Sequence, residues 1–282
     1  MKNLSLIIFA VLYSSFISSQ EKIIKGTVTD SLNKPIKYAN IGILNKSLGT
    51  VSNENGEFSL VLDNSIQLDT LKISCLGFKP KEITIQDNFN ITIPIIISLE
   101  NTIEKLDEVI ITSGNLKTYS VGKFKTETKH EVLFTNPNIK NLNLGSEVGK
   151  RFILGNTKPS LLTSFKFFIK DNNFEMVRFR INMYTIKNNK PDQRINQSNI
   201  VVDAYKKYED WVTVDLSEFK IITQEDIIIT VEWIDHSTDG NRLDLPIIIP
   251  SFGSTHYYKF GSQGSWEKYS NISSAMVLTY KQ

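Results

Sequence analysis

The feature that most restricts this chain is a two-residue hydrophobic period that recurs along most of its length. In "MVRFRINMY", Val177, Phe179, Ile181 and Met183 alternate with Arg178, Arg180, Asn182 and Tyr184. In "DIIITVEWI", Ile227, Ile229, Val231 and Trp233 share one side, and in "GEFSLVL", Phe58, Leu60 and Leu62 do the same. Side chains spaced by two fall on one face of an extended strand, so each run buries one face and leaves the other polar. Short runs of this kind, broken by Asn, Asp, Gly and Pro, predict antiparallel sandwiches and an all-β fold. At 282 residues the chain is long for one domain and comfortable for two.

Charge is nearly balanced, with 32 Lys+Arg against 30 Asp+Glu. A nucleic-acid partner would call for a concentrated basic face, and none is expected. The N-terminus, "MKNLSLIIFAVLYSSFISSQEK", has Lys2, an apolar run from Leu4 to Ile17 and a small, polar exit at Ser18-Ser19-Gln20. That pattern predicts a secretory signal peptide over 1–20 and export to the periplasm, the outer membrane or the exterior. No later segment is apolar for long enough to predict a membrane span. The sole cysteine, Cys75, shares the phase of Leu71 and Ile73, which places its sulfur on a buried face as a small apolar filler.

The stretch "GTVSNENGEF" (49–58) has oxygen-bearing side chains near a glycine, but its spacing does not suit calcium. Six residues beyond Gly56, where a bidentate glutamate is needed, stands Leu62. The turn reading fits: Asn55-Gly56 closes a hairpin between two strands, with Asn53 bonding forward to the backbone.

The ordered set "KGTVTDSLNKPIKYANIGILNKSLGTVSNENGEFSLVL", "LKISCLGFKPKEITI" and "LDEVIIT" resembles the carboxypeptidase-regulatory-like domain. The resemblance spans 21–112 and implies a seven-stranded, transthyretin-like β-sandwich that supplies no catalytic residues. Such domains also form N-terminal extensions of TonB-dependent outer-membrane receptors, where a TonB-box-like segment follows. Leu106, Asp107, Glu108, Val109, Ile110 and Ile111 are similar to that segment. They are therefore either a terminal strand or family remnant, or a partner strand for envelope transport machinery.

Residues 113–143 are polar and lack a sustained period, which predicts a linker with one short strand at "EVLF". From 144 to 282 strand signals return in about nine runs, suited to a jelly roll of two packed sheets. Their layout resembles the carbohydrate-binding-like jelly-roll modules of secreted bacterial proteins. In "HYYKFGSQGSWEKY", Tyr257, Tyr258, Trp266 and Tyr269 are candidate platforms for a sugar ring, with the Gly-Ser-rich run before Trp266 read as flexible. In "DHSTDGNRLD" the aspartates and glycine are read as turn formers. Asp235, Ser237 and Asp239 would be the ligands if that loop held a structural calcium, and no other cofactor is expected.

Nothing points to a catalytic set. Gly261 to Ser265 does not fit the G-x-S-x-G elbow, and His130, His236 and His256 lie in different segments. The sequence thus describes an exported, non-catalytic binding or structural accessory protein with a protein or glycan ligand. The alternatives are a partner of a TonB-dependent uptake system, and a glycosidase or peptidase.

Overall fold

The computed structural model describes residues 22–62, 69–85, 93–102, 116–135, 143–155 and 158–282. The expected leader and the segment Leu106–Ile111 lie outside the described residues. No helix among the described residues is long and apolar enough to cross a membrane.

The first module has seven strands among the described residues: β1 (Lys22–Asp30), β2 (Asn40–Ile43), β3 (Gly49–Val51), β4 (Glu57–Leu62), β5 (Thr70–Ser74), β6 (Lys81–Thr84) and β7 (Ile95–Leu99). One sheet has the order β4-β1-β7, with β1 antiparallel to β4 and parallel to β7. The other, β3-β2-β5-β6, is antiparallel throughout. The period of two decides what lies between them. Ile24, Val28, Phe58, Leu60, Leu62, Ile97 and Leu99 from the first sheet pack on Ile41, Ile43, Leu71 and Ile73 from the second. Cys75 packs at the edge of this core, half-buried and with a free thiol.

The loop 49–58 departs from the hairpin expectation. β3 and β4 belong to different sheets, so the chain arches from one layer to the other. The local chemistry is that of the expected turn: Asn53 Oδ1 accepts from the amides of Asn55 and Glu57 at 2.9 Å each. Gly56 sits at φ +74°, a region open to glycine at little cost. The same turn can serve a hairpin or an arch. Pairing of β4 with β1, Phe58 opposite Gly26, decides for the arch.

Next come β8 (Thr118–Gly122) and β9 (His130–Leu133). They lie within the stretch read as a linker, yet both are woven into the second module, β8 on the strand Met276–Lys281 and β9 on Leu243–Ile248. Both are mostly exposed edge strands. β9 overlaps the one short strand expected at "EVLF", whereas β8, with little to bury, carries no hydrophobic period.

The rest of the module comprises β10 (Glu147–Phe152), β11 (Ser160–Phe168), β12 (Asp171–Asn172), β13 (Met176–Lys187), β14 (Lys190–Arg194), β15 (Ile200–Tyr205) and β16 (Trp211–Asp215). After a short 3-10 turn follow β17 (Ile222–Thr223), β18 (Ile227–His236), β19 (Leu243–Ile248), β20 (Thr255–Lys259), β21 (Trp266–Ser270), β22 (Ser273–Ser274) and β23 (Met276–Lys281). One layer is the sheet β14-β13-β18-β10-β20-β21, with β15 also on β13. Packed against it are the sheets β16-β11-β23-β8 and β12-β19-β22.

The expected alternating rows of β13 and β18 point inward, onto Phe165 and Phe167 of β11, Leu278 of β23 and Leu245 of β19. The fold is therefore all-β, with a second sandwich and a second core separate from the first.

Candidate functional site at the junction of the two sandwiches

The opposite face of β13, β18, β10 and β20 is the unexpected part. Alternation alone assigns it to solvent, yet Arg180, Asn182, Thr230, Glu232 and Glu147 are all buried. Strand register aligns four charges in one row: Arg180 stands opposite Glu232, Glu232 opposite Glu147, and Glu147 opposite Lys259. The row reads plus, minus, minus, plus, so each carboxylate has a cation beside it.

Buried charge persists only where pairing and hydrogen bonds replace water. Here they do. Arg180 grips Glu232 with Nε and Nη2, both at 2.8 Å, and Asn182 Nδ2 donates to the same carboxylate at 2.7 Å. Glu147 accepts from Thr230 Oγ1 at 2.6 Å, from the Tyr184 hydroxyl at 3.0 Å and from Lys259. Burial by itself would raise the Glu232 carboxyl. Arg180, by charge and by hydrogen bonds, with Lys259 and Arg194 beyond it, overcomes that and holds it at about 2.

The first module helps bury this face. Arg180 also donates from Nη1 to the Tyr38 carbonyl at 2.8 Å and from Nη2 to Asn40 Oδ1 at 2.6 Å. Arg178 bonds Asp203 at 2.6 and 2.8 Å within its own sheet. It also reaches across to the Tyr38 hydroxyl and, at 2.8 Å, to Glu54. Glu54 is the one charge between β3 and β4, in an arch that thus serves the junction. Tyr38, Val51 and Ile234 form a small apolar contact beside it.

A second contact comes from the segment 261–264, which was expected to be flexible. Ser262 Oγ donates to the Ile41 carbonyl at 2.6 Å, and the Asn45 amide donates to the Gln263 carbonyl at 3.0 Å. Gln263 Nε2 reaches Ser74 Oγ at 2.9 Å. The glycines and serines of this run act as a thin wedge rather than as slack.

The four aromatic candidates do not share a face. Tyr257 is buried and lies on the junction side of the sheet with Trp266, which packs edge-on to Tyr184 at 5.7 Å and under the Lys259 ammonium at 5.0 Å. Tyr258 packs on the sandwich core. It shares the other face with the exposed Tyr269, whose hydroxyl donates to Glu267. Antiparallel register puts directly opposed residues on one side, so the period of two splits the set into pairs.

In the 235–244 loop the oxygens are engaged separately. Asp235 Oδ1 accepts from the His236 amide at 2.9 Å and Ser237 Oγ from the Met176 amide at 3.1 Å. Asp239 is held below its usual range by a hydrogen bond with Ser237. Among the described residues no three acid, histidine or cysteine side chains group as a metal site. Asp244 is buried, with Oδ2 accepting from Arg242 Nε at 3.1 Å and Oδ1 unpartnered among the described residues. Burial, then the charge of Asp171, push its carboxyl from 3.8 up to about 6, against the pull of Arg242.

A carboxyl that holds its proton more tightly when folded stabilises the fold below its unfolded value, and that contribution fades as pH rises through the folded one. Asp244→Asn should therefore remove a fall in stability between about pH 4 and about pH 6. Urea midpoints measured across that range test this; identical pH slopes in the two proteins would contradict it.

Of the open grooves, one of about 730 Å³ is lined by residues 125–130 with Phe168, Lys170 and Ile247–Ile249. Another, of about 450 Å³, lies beside Arg151 and Asp226. Asp226 is bound there to Arg151 Nη2 at 2.6 Å and to the Leu154 amide at 3.0 Å. The two buried glutamates that do converge, Glu147 and Glu232, line neither groove.

The kinship of the first module follows from its sequence. Residues 24–111 match the CarboxypepD_reg-like domain. Over 110 residues, 39% of this chain, the sequence is 27% identical to the TonB-dependent receptor SusC of Bacteroides thetaiotaomicron, and the match covers 10% of that receptor. The chain thus spans about a tenth of the length of the curated relative it matches. Among solved structures, the cysteine protease and lectin-like domains of Cwp84, a surface layer associated protein of Clostridium difficile, align with 87% of this chain and 59% of theirs. Identity there is 10% and the TM-score 0.42. A DUF3823 family protein from Parabacteroides merdae aligns with 77% of this chain and all of its own, at 10% identity and a TM-score of 0.22. The CarboxypepD_reg-like domain is a non-catalytic module, and here it is the one that receives Arg180 and Ser262.

The residues that build the junction (Arg178, Arg180, Glu232, Glu147, Lys259, Ser262) were not singled out by sequence reasoning. One signal was available: Glu232 is a lone acid in an otherwise apolar run, and Arg180 and Asn182 sit amid strongly apolar neighbours. Their partnership emerges only with strand register.

Proposed function

We propose that this chain is an exported cell-envelope accessory protein without catalysis, in which the two sandwiches act as one rigid adaptor for a protein or glycan partner. The observation that carries the reading is the junction: Arg180, already neutralised by Glu232, donates two further hydrogen bonds to the first module. A charge-paired, buried contact of that kind suits a fixed relative orientation, as a scaffold needs, rather than a hinge between independent binders. Kinship of 24–111 to a non-catalytic module, and similarity over 110 residues to a TonB-dependent receptor, support it.

A second reading, a link to TonB-dependent uptake through Leu106–Thr112, is favoured by the similarity to SusC. Fractionation of cells producing the full chain, followed by crosslinking and purification from the envelope, tests both. The adaptor reading expects recovery in the envelope or medium and a saturable partner that survives deletion of 106–112. The uptake reading expects that deletion to abolish capture of envelope transport proteins. Retention of the chain in the cytoplasm would sink both. A glycan-array screen with Tyr269→Ala and Trp266→Ala decides the class of ligand, since the two residues lie on opposite faces and only one variant should lose a sugar signal.

A further inference from the structure

Lys150 is a buried cation that the junction does not use. It lies on β10 between Val148 and Phe152, which both face the second core, so alternation turns Lys150 inward as well. It is 4% exposed. Its ammonium lies 5.4 Å from the centre of the Phe152 ring, and among the described residues no carboxylate pairs with it. Its direct neighbour across the register is His256, on β20 and 3% exposed, whose Nδ1 has no partner among the described residues. β22 packs on both strands, and its Ser274 is buried with an unpartnered hydroxyl. Lys123, held by its amide to the Met276 carbonyl at 2.9 Å, adds a second positive charge close enough to act on Lys150.

Isolated buried ammonium groups are costly and are ordinarily paired. Among the described residues, the other lysine and arginine buried beyond nine-tenths, Lys259 and Arg180, each have a carboxylate in contact. Opposite Lys150 stands instead an imidazole, a second amine acts on it through its charge, and the strand packed on β10 and β20 carries a buried hydroxyl. Burial, and then Lys123, bring the Lys150 ammonium down to about 8, while burial and Lys150 bring His256 down to about 4. The set supplies positive charge and hydrogen-bond donors around one inward-facing amine, with no acid of its own. That is the donor pattern that recognises an oxyanion.

We infer that Lys150, with Lys123, His256 and Ser274, forms a binding site between the layers of the second sandwich for a small oxyanion, a carboxylate or phosphate group. The site does not depend on the adaptor reading, because it lies within one sandwich and uses none of the junction residues.

The test uses the full chain labelled at the lysine side chains, titrated separately with acetate, inorganic phosphate and glucuronate, against chloride at matched ionic strength. The Lys150 side-chain resonances should move saturably with at least one oxyanion and not with chloride. A response to acetate or phosphate identifies the free ion as sufficient, and a response to glucuronate alone identifies a sugar-borne carboxylate. In Lys150→Met the apparent affinity should fall by about tenfold or more, as expected for loss of a charged hydrogen-bond donor. Lys150→Arg should retain part of it. Should the methionine variant fail to fold, the wild-type resonances still decide. Movement no different from that in chloride, or equal affinity in wild type and Lys150→Met, would overturn the inference.

Discussion

Arg180→Met should cost this protein about 3–5 kcal/mol of stability, the range expected when one partner of a buried ion pair is removed. The reason lies in what remains. Glu232 is wholly buried and accepts two hydrogen bonds from Arg180. Without the guanidinium its charge keeps only Asn182 as a direct donor. The Tyr38 carbonyl and Asn40 Oδ1 of the first module lose their donor at the same time. Urea unfolding followed by far-UV circular dichroism and by tryptophan fluorescence measures this loss. All three tryptophans lie in the second module, so the fluorescence reports on that sandwich.

A companion variant separates the two parts of the loss. Arg180→Met with Glu232→Leu leaves no charge stranded, and such apolar replacements of buried pairs are often close to neutral. The double variant should recover most of the second sandwich's stability while the contacts to Tyr38 and Asn40 stay lost. A single variant within about 1 kcal/mol of wild type would mean that Arg180 is not the keystone described here.

Acid should act in the same direction. The Glu232 carboxyl falls from 4.5 to about 2 on folding, so its contribution is complete above the unfolded value and is lost as pH drops through the folded one. Glu54 and Asp203, both lowered chiefly by hydrogen bonds from Arg178, follow the same sign. The junction should therefore loosen between about pH 4.5 and about pH 2, and Glu232→Gln should lose the share of that dependence that Glu232 carries, keeping the share of Glu54 and Asp203.

Which parts of this architecture were readable beforehand follows from the physics of a strand. Val177, Phe179, Ile181 and Met183 announce an inward row because burial requires apolar side chains at every second position, a property of one segment alone. The Asn53 and Gly56 turn was likewise local, though whether it closed a hairpin or bridged two sheets was not. β8 went unrecognised because an edge strand with little to bury carries no period, whereas β9 overlaps the strand expected at "EVLF". The junction was hidden for a different reason. Arg180, Glu232, Glu147 and Lys259 are far apart in the sequence and become neighbours only when four strands adopt one register. A polar row covered by another module has the same one-dimensional pattern as a polar row facing water. The split of Tyr257 and Trp266 from Tyr258 and Tyr269 was, by contrast, available from the period itself once the intervening turn fixed how the two strands paired.

The wedge at Ser262 offers the other large effect. Gly49, on β3, has no side chain to obstruct it, and a Cβ there would lie 2.6 Å from Ser262 Oγ and 2.7 Å from the Ser262 backbone nitrogen. Gly145, at φ +84°, also abuts Ser262, and an added Cβ there would come within 2.4 Å of the serine's own Cβ. The segment thus abuts two positions that tolerate only hydrogen. A larger residue at 49 would press on Ser262 Oγ, the atom that bonds the Ile41 carbonyl.

Gly49→Val should therefore displace 261–264, at the roughly 1–3 kcal/mol typical of overpacking a tight contact. The displacement has its own readout, because the Asn45 amide donates to the Gln263 carbonyl. Hydrogen exchange at Asn45 should speed up in Gly49→Val by about the factor that the measured loss of stability implies. Ser262→Ala, which removes one hydrogen bond without adding bulk, should cost about 1 kcal/mol and leave Asn45 largely protected. If Gly49→Val left both the unfolding midpoint and the Asn45 exchange rate unchanged, the two sandwiches would not be joined by this wedge.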